Sequence, residues 1–215
     1  SVARDLSDVV FDRVFPLLVR ALPQYDRERP ATIDNAYLEH VRSGALVLLY
    51  RLLFILYAED RNLLPDERGP YARYSLTRMR IEIADAREHS VTPAARSTEY
   101  WGRLETIFGA IAEGDDLLGI PPYNGGLFDP ANAQLLSRVR LPDTVTGEVI
   151  FLLSHRPATP PAHPRPRYIN YRDLSVQQLG SIYERLLEFE LVRDDAGALT
   201  VRPNLFARKN SGSYY

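Results

Sequence analysis

The sequence predicts a mainly α fold, an irregular multi-helix bundle with a short β-hairpin near the C-terminus. Three observations lead there. Apolar residues recur at helical spacing along most of the chain, breaks fall at clusters of proline and glycine, and one Asp/Gly turn is flanked by β-branched residues. The chain has 215 residues, 45% of them hydrophobic and 25% charged. That is enough apolar material to bury a core without cross-links.

Each element follows from its own pattern. Leu6, Val9, Val10, Val14, Leu17, Leu18 and Leu22 give one helix from Val2 to Leu22, with Pro23 and Pro30 bracketing a polar link. Asp34 is a candidate N-cap for a second helix reaching about Asp60. That helix is striped by Leu38, Val41, Ala45, Leu48, Leu49, Leu52, Phe54, Leu56 and Tyr57, and we expect it to be central. Its apolar run from Gly44 to Ala58 is about 15 residues long and interrupted by Arg51, too short and too charged to span a bilayer. It reads as a helix buried on most sides.

Residues Tyr71 to Glu88 form a charge-rich helix with a weaker face of Tyr74, Leu76, Met79, Ile81 and Ile83. Ser97 to Glu113 form another, with Trp101, Leu104, Ile107, Phe108 and Ile111 inward. A loop from Gly119 to Pro130 follows, then short helices at Ala131 to Ser137 and Asp143 to Ser154. Pro157 to Pro166, with five prolines in ten residues, reads as an extended, exposed linker. Ser175 to Phe189 is an amphipathic helix, and Phe189 to Arg193 with Leu199 to Arg202 form the hairpin around Asp194-Asp195-Ala196-Gly197. The expected organisation is a helical bundle over 1–155, a Pro/Arg-rich linker over 156–172, and a helix plus hairpin over 173–215.

Composition closes off several chemistries. The absence of cysteine removes disulfides, thiol catalysis and thiolate metal sites, and suits a reducing cytoplasm. A net charge of −2 gives no global footprint for nucleic acid, so DNA contact would rest on local patches. No Gly-x-Gly-x-x-Gly or Walker-type loop offers a phosphate cradle. Lys209 is the sole lysine, and Ala207 stands where a nuclease of the PD-(D/E)xK type would place a carboxylate. His40, His89, His155 and His163 show no ligand spacing, so no metal site is expected. The adjacent acids Glu59-Asp60, Asp115-Asp116 and Asp194-Asp195 read as helix-end or turn residues. Ile120-Pro121-Pro122-Tyr123 contains the Pro-Pro-Tyr of an amino-methyltransferase loop, yet Ile120 offers no acceptor for a target amine. It reads as a loop without a catalytic role.

Three further segments carry a resemblance. They are Tyr123-Asn124-Gly125-Gly126-Leu127-Phe128-Asp129; Asn170-Tyr171-Arg172-Asp173-Leu174 with Leu179-Gly180-Ser181-Ile182-Tyr183-Glu184; and Arg208-Lys209-Asn210-Ser211-Gly212-Ser213-Tyr214-Tyr215. In this order and spacing, over roughly residues 45 to 215, the chain resembles the helical connector of large single-chain restriction-modification enzymes. These are type IIG enzymes and related phage-defence methyltransferases, and in them this region precedes the DNA adenine methyltransferase domain. The resemblance implies a parent chain that transfers a methyl group from S-adenosylmethionine to adenine N6, with or without a coupled endonuclease.

By that resemblance Gly212, Tyr214 and Tyr215 would help hold S-adenosylmethionine in the parent chain. The glycine-rich cofactor loop and the Asn-Pro-Pro-Tyr loop for a flipped adenine are missing from these residues, so we expect the chain by itself to hold no cofactor and catalyse nothing. Its partners would be DNA, through the parent enzyme, and the methyltransferase and nuclease domains of that enzyme; no membrane is expected. Arg165, Arg167 and Arg172, with Arg156, Arg208 and Lys209, are candidate contacts to DNA phosphates, or ordinary solvated residues. Asn124-Gly125-Gly126 would serve as a tight turn in any protein, and Tyr183 and Glu184 as local packing and capping. The other readings are a freestanding protein-interaction module docking through its proline segment, or a helical DNA-binding domain acting alone.

Overall fold

A computed structural model describes residues 1–123 and 125–204. The fold is mainly α, with two small two-stranded antiparallel sheets towards the C-terminal end. The expected first helix is three pieces in line: α1 (Val2–Val9), a π turn over Val10–Val14, and α2 (Phe15–Gln24). The widening has a local cause. Pro16 has no N–H and would crowd the carbonyl four residues back, so Phe15 N–H reaches back to the Val10 carbonyl instead.

The central helix α3 (Asn35–Asp60) starts on Asp34, whose carboxylate accepts the Tyr37 N–H at 2.8 Å. By length and composition α3 could cross a bilayer, its most apolar stretch reaching a mean hydropathy of 1.6, but 67% of that stretch is buried within the protein. Tyr37, rather than the expected Leu38, is the buried residue at its start. Helix α4 (Leu76–Glu88) follows a 3₁₀ turn at Pro70–Arg73 instead of beginning at Tyr71. The expected face of α4 is shifted: Leu76, Met79 and Ile83 are buried, but so is Arg80, while Ile81 is 57% exposed.

Helix α5 (Glu99–Glu113) buries Trp101, Leu104, Ile107, Phe108 and Ile111 as its spacing predicts. It ends at Gly114, whose φ of +83° suits glycine. After the single turn α6 (Gln134–Ser137), α7 (Asp143–Ser154) packs against α4 and α5. Asp143 ties the starts of α5 and α7 together, accepting from Ser97 Oγ and the Tyr100 N–H.

Strands β1 (His155–Arg156) and β2 (Arg167–Tyr168) pair antiparallel, with His155 opposite Tyr168. Thr159 and His163 exchange two further backbone bonds. The proline segment is therefore exposed, as expected, but it is a loop closed at its base and not an extended linker. These pairings bring its two ends together, which five prolines in sequence do not reveal. Past it, Ile169, Tyr171, Leu174, Leu179, Ile182 and Leu186 join the same apolar core as the earlier helices.

Helix α8 (Val176–Leu187) opens on a capping box, Ser175 with Gln178. Strands β3 (Phe189–Arg193) and β4 (Leu199–Pro203) then form the expected hairpin, with Gly197 at φ +83° and Asp194 Oδ1 accepting from Ala196 and Ala198. Strand β4 lies against α2, and β3 against α3.

Candidate nucleic-acid interface and its framework

The C-terminal half of α3 and the residue after it form the frame on which the two described resembling segments are mounted. Arg51 interrupts the apolar face of α3 and is 4% exposed. Burying a guanidinium is unfavourable unless its donors are used, and here they are. Nε donates to the Leu127 carbonyl at 2.7 Å and Nη2 to that of Asp129 at 3.3 Å. The guanidinium also lies 5.1 Å from the Phe108 ring centroid and 5.6 Å from that of Phe128. Burial pulls the Arg51 pKa below its ordinary value, and the nearby Asp129 charge opposes that shift.

These bonds pin the Tyr123–Asp129 loop to α3. Phe54 adds edge contacts to Tyr123 and Phe128, and Asn132 Nδ2 donates to the Gly126 carbonyl at 2.6 Å. Asn124 lies outside the described residues. The preceding Ile120 is buried and exchanges backbone bonds with Asp115, so the Pro-Pro-Tyr stretch folds back on the end of α5.

The second segment is held a few turns further on. Asp60 Oδ2 accepts the Tyr171 N–H at 2.8 Å, and the Asp60 carbonyl accepts from Arg172 Nε. Arg61 Nη2 donates to the carbonyls of Arg172 and Leu174, at 3.2 and 2.8 Å. Tyr171 is fully buried and its hydroxyl donates to the Leu153 carbonyl at 2.6 Å; burial keeps that phenol far from ionising. Tyr183 packs against Tyr50 with ring centroids 4.5 Å apart, and Tyr50 Oη donates to the Tyr183 carbonyl at 2.8 Å. Glu184 is exposed.

Two acids at the end of α3 diverge to different tasks. The Glu59 carboxylate receives the Tyr71 hydroxyl, the Leu76 and Thr77 N–H groups and the Thr77 hydroxyl, capping α4. Burial raises its pKa, against those hydrogen bonds. Asp60 pairs with Arg80 at 3.2 Å, both nearly buried. Arg80 also stacks 3.6 Å from the Tyr168 ring centroid, while its Nε and Nη1 have no hydrogen-bond partner among the described residues. Glu59 and Asp60 are thus helix-end residues, as expected, but committed inward. Their partners lie 12 to 112 positions away, so no local window reveals them. The signal present in the sequence is a lone arginine in an apolar helical run, which argues against a membrane span but names no partner.

The candidate DNA-contacting arginines occupy separate settings. Arg165 is 81% exposed and reaches Glu88 at 2.9 Å. Arg156 pairs with Asp5, and Arg167 lies opposite Arg156 in the β1–β2 pair, its Nε buried and without a partner among the described residues. Arg172 is exposed, but its Nε is spent on the Asp60 carbonyl. The structure brings Arg156, Arg165 and Arg167 onto one loop and leaves Arg172 on the α3 frame. Arg208, Lys209, Gly212, Tyr214 and Tyr215 lie outside the described residues.

Beside the loop, His155 stacks on Phe151 at 4.6 Å and 16°, and Arg87 lies 3.9 Å from the same ring centroid. Burial, then the charges of Arg80 and Arg87, lower the His155 pKa. Among the described residues, no three His, Cys, Asp or Glu side chains gather as a cation site. No protein-family model, curated protein or solved structure matches the chain.

Proposed function

We propose that this chain is the helical connector of a DNA adenine methyltransferase of the restriction-modification kind, whose parent protein moves a methyl group from S-adenosylmethionine to adenine N6. The observation that carries the reading joins sequence to structure. The two describable segments that resemble such connectors, around Tyr123–Asp129 and Asn170–Tyr183, are fastened to the same half of one helix by Tyr50, Arg51, Asp60 and Arg61. A shared rigid support is what a part needs whose work is to fix the relative placement of flanking domains. In this reading the chain supplies orientation, and the cofactor, when bound, supplies the methyl group from beyond it.

The test is to express the complete reading frame and assay tritium transfer from labelled S-adenosylmethionine to adenine in DNA. Methylated adenine is the expected product. Absence of any DNA methylation by a folded, cofactor-binding protein would overturn the reading.

A further inference from the structure

The strongest unassigned feature lies at the opposite end of α2. A cleft of about 280 Å³ opens between the end of that helix, the link that leads to α3 and the tip of the β3–β4 hairpin, with Arg20, Arg29 and Arg193 in its walls beside Pro23, Ile33 and Leu199. Among the described residues, no carboxylate lines it. We propose that this cleft is an oxyanion site that binds a phosphate group, and it stands independently of the methyltransferase reading.

The local acids are turned elsewhere. Asp26 and Glu28 both face Arg138, at 2.9 and 3.8 Å. Asp194 is occupied by the Ala196 and Ala198 N–H groups, and Asp195 stands at the turn without lining the cleft. Three arginines thus line one cleft with no counter-charge in its walls among the described residues. That arrangement is self-repulsive, and an anion relieves it.

Two of the three arginines are held in place through one N–H group each. Arg20 Nε donates to the Leu199 carbonyl at 3.4 Å, and Arg193 Nη2 donates to the Ile33 carbonyl at 2.9 Å. Their remaining donors are left for a ligand, with part of the ordering cost already met by the fold. The Arg29 backbone N–H donates to the Asp26 carbonyl at 3.3 Å, while its guanidinium makes no hydrogen bond or ion pair with any described residue. Guanidinium groups contributed by three separate segments, α2, the link to α3 and β3, suit the several oxygens and double charge of a phosphate better than a single carboxylate. The volume lies at the small end of ligand sites, suited to a phosphate group and not to a large organic molecule. A bound phosphate would tie the hairpin to the helices, because Arg193 belongs to one and Arg20 to the other.

The phosphate could be free or part of a nucleic-acid backbone, and the experiment separates the two. With the 215-residue chain in low-chloride buffer, titrate inorganic phosphate and pyrophosphate by calorimetry and a short DNA duplex by fluorescence anisotropy. Follow amide exchange in β3–β4 alongside. Arg29→Ala is the discriminating variant, since it keeps the backbone bond to Asp26 and removes a side chain that bonds no described residue. Arg96→Ala, at an exposed arginine elsewhere, controls for general charge.

Saturable phosphate binding that slows hairpin exchange, and that Arg29→Ala weakens by roughly tenfold or more while Arg96→Ala does not, is the expected result. If the duplex also binds, is displaced by pyrophosphate and is weakened by Arg29→Ala, the phosphate belongs to a nucleic-acid backbone. If it does not bind, the ligand is a free phosphate compound. No saturable binding of either, or equal losses in the two variants, would overturn the site.

Discussion

Arg51 Nε donates to the Leu127 carbonyl oxygen at 2.7 Å, joining the middle of α3 to a loop 76 positions later. The contact makes a buried charge serve as the clasp of a glycine-rich turn, and its removal has two effects. Arg51→Met keeps most of the apolar stem but leaves the Leu127 and Asp129 carbonyls without their donors. We expect a loss of roughly 2–4 kcal/mol in urea unfolding, with faster amide exchange confined first to residues 125–129. Unchanged exchange in that loop would show that Arg51 does not hold it.

The Asp60–Arg80 pair supports the second segment, and its energetics are those of buried ions. Asp60→Asn strips the buried Arg80 guanidinium of its paired carboxylate, leaving only the more distant influence of Glu59, so we expect about 3–5 kcal/mol of destabilisation. The double variant Asp60→Asn with Arg80→Met removes that stranded charge and should recover a large part of the loss. A double-mutant cycle measures the coupling. Additive losses from the two substitutions would contradict a direct pairing.

Stability should fall on the acid side because of His155. Its folded pKa lies below the ordinary 6.5, chiefly through burial and then through Arg80 and Arg87. The unfolded chain therefore binds a proton that the folded chain resists, and stability is lost as pH falls from about 6.5 through the lower folded value. His155→Phe keeps a ring on Phe151 and should show a shallower decline between about pH 7 and about pH 5. Equal slopes for the two proteins would remove His155 as the cause.

Gly114 should tolerate no side chain. At φ +83°, a Cβ there would stand 2.9 Å from Pro122 Cδ and 3.0 Å from the Pro122 nitrogen. Backbone strain and this clash together predict a loss of about 1–3 kcal/mol for Gly114→Ala, measured by urea or thermal unfolding. Wild-type stability would mean that the loop after α5 shifts freely.

Elements that declare themselves within one or two turns were legible in the sequence. The Trp101–Ile111 stripe, the Asp34 cap and the Asp194–Gly197 turn all have their causes within a few residues of where they act. The features that mount the candidate site are pairings over long separations. Asp60 meets Tyr171 across 111 positions, and Tyr50 meets Tyr183 across 133. Arg80 was missed because helical spacing assigns the apolar Ile81 inward, whereas a carboxylate from another helix makes the charged neighbour the buried one. The closure of the proline loop depends on His155 lying opposite Tyr168, which composition does not encode.

The connector reading meets its most direct test in the gene beyond the codon for Tyr215. We expect Thr-Pro next, then a glycine-rich cofactor loop and an Asn-Pro-Pro-Tyr segment within one continuous frame. A stop codon directly after Tyr215 would contradict the parent-enzyme account and leave a freestanding helical module in its place.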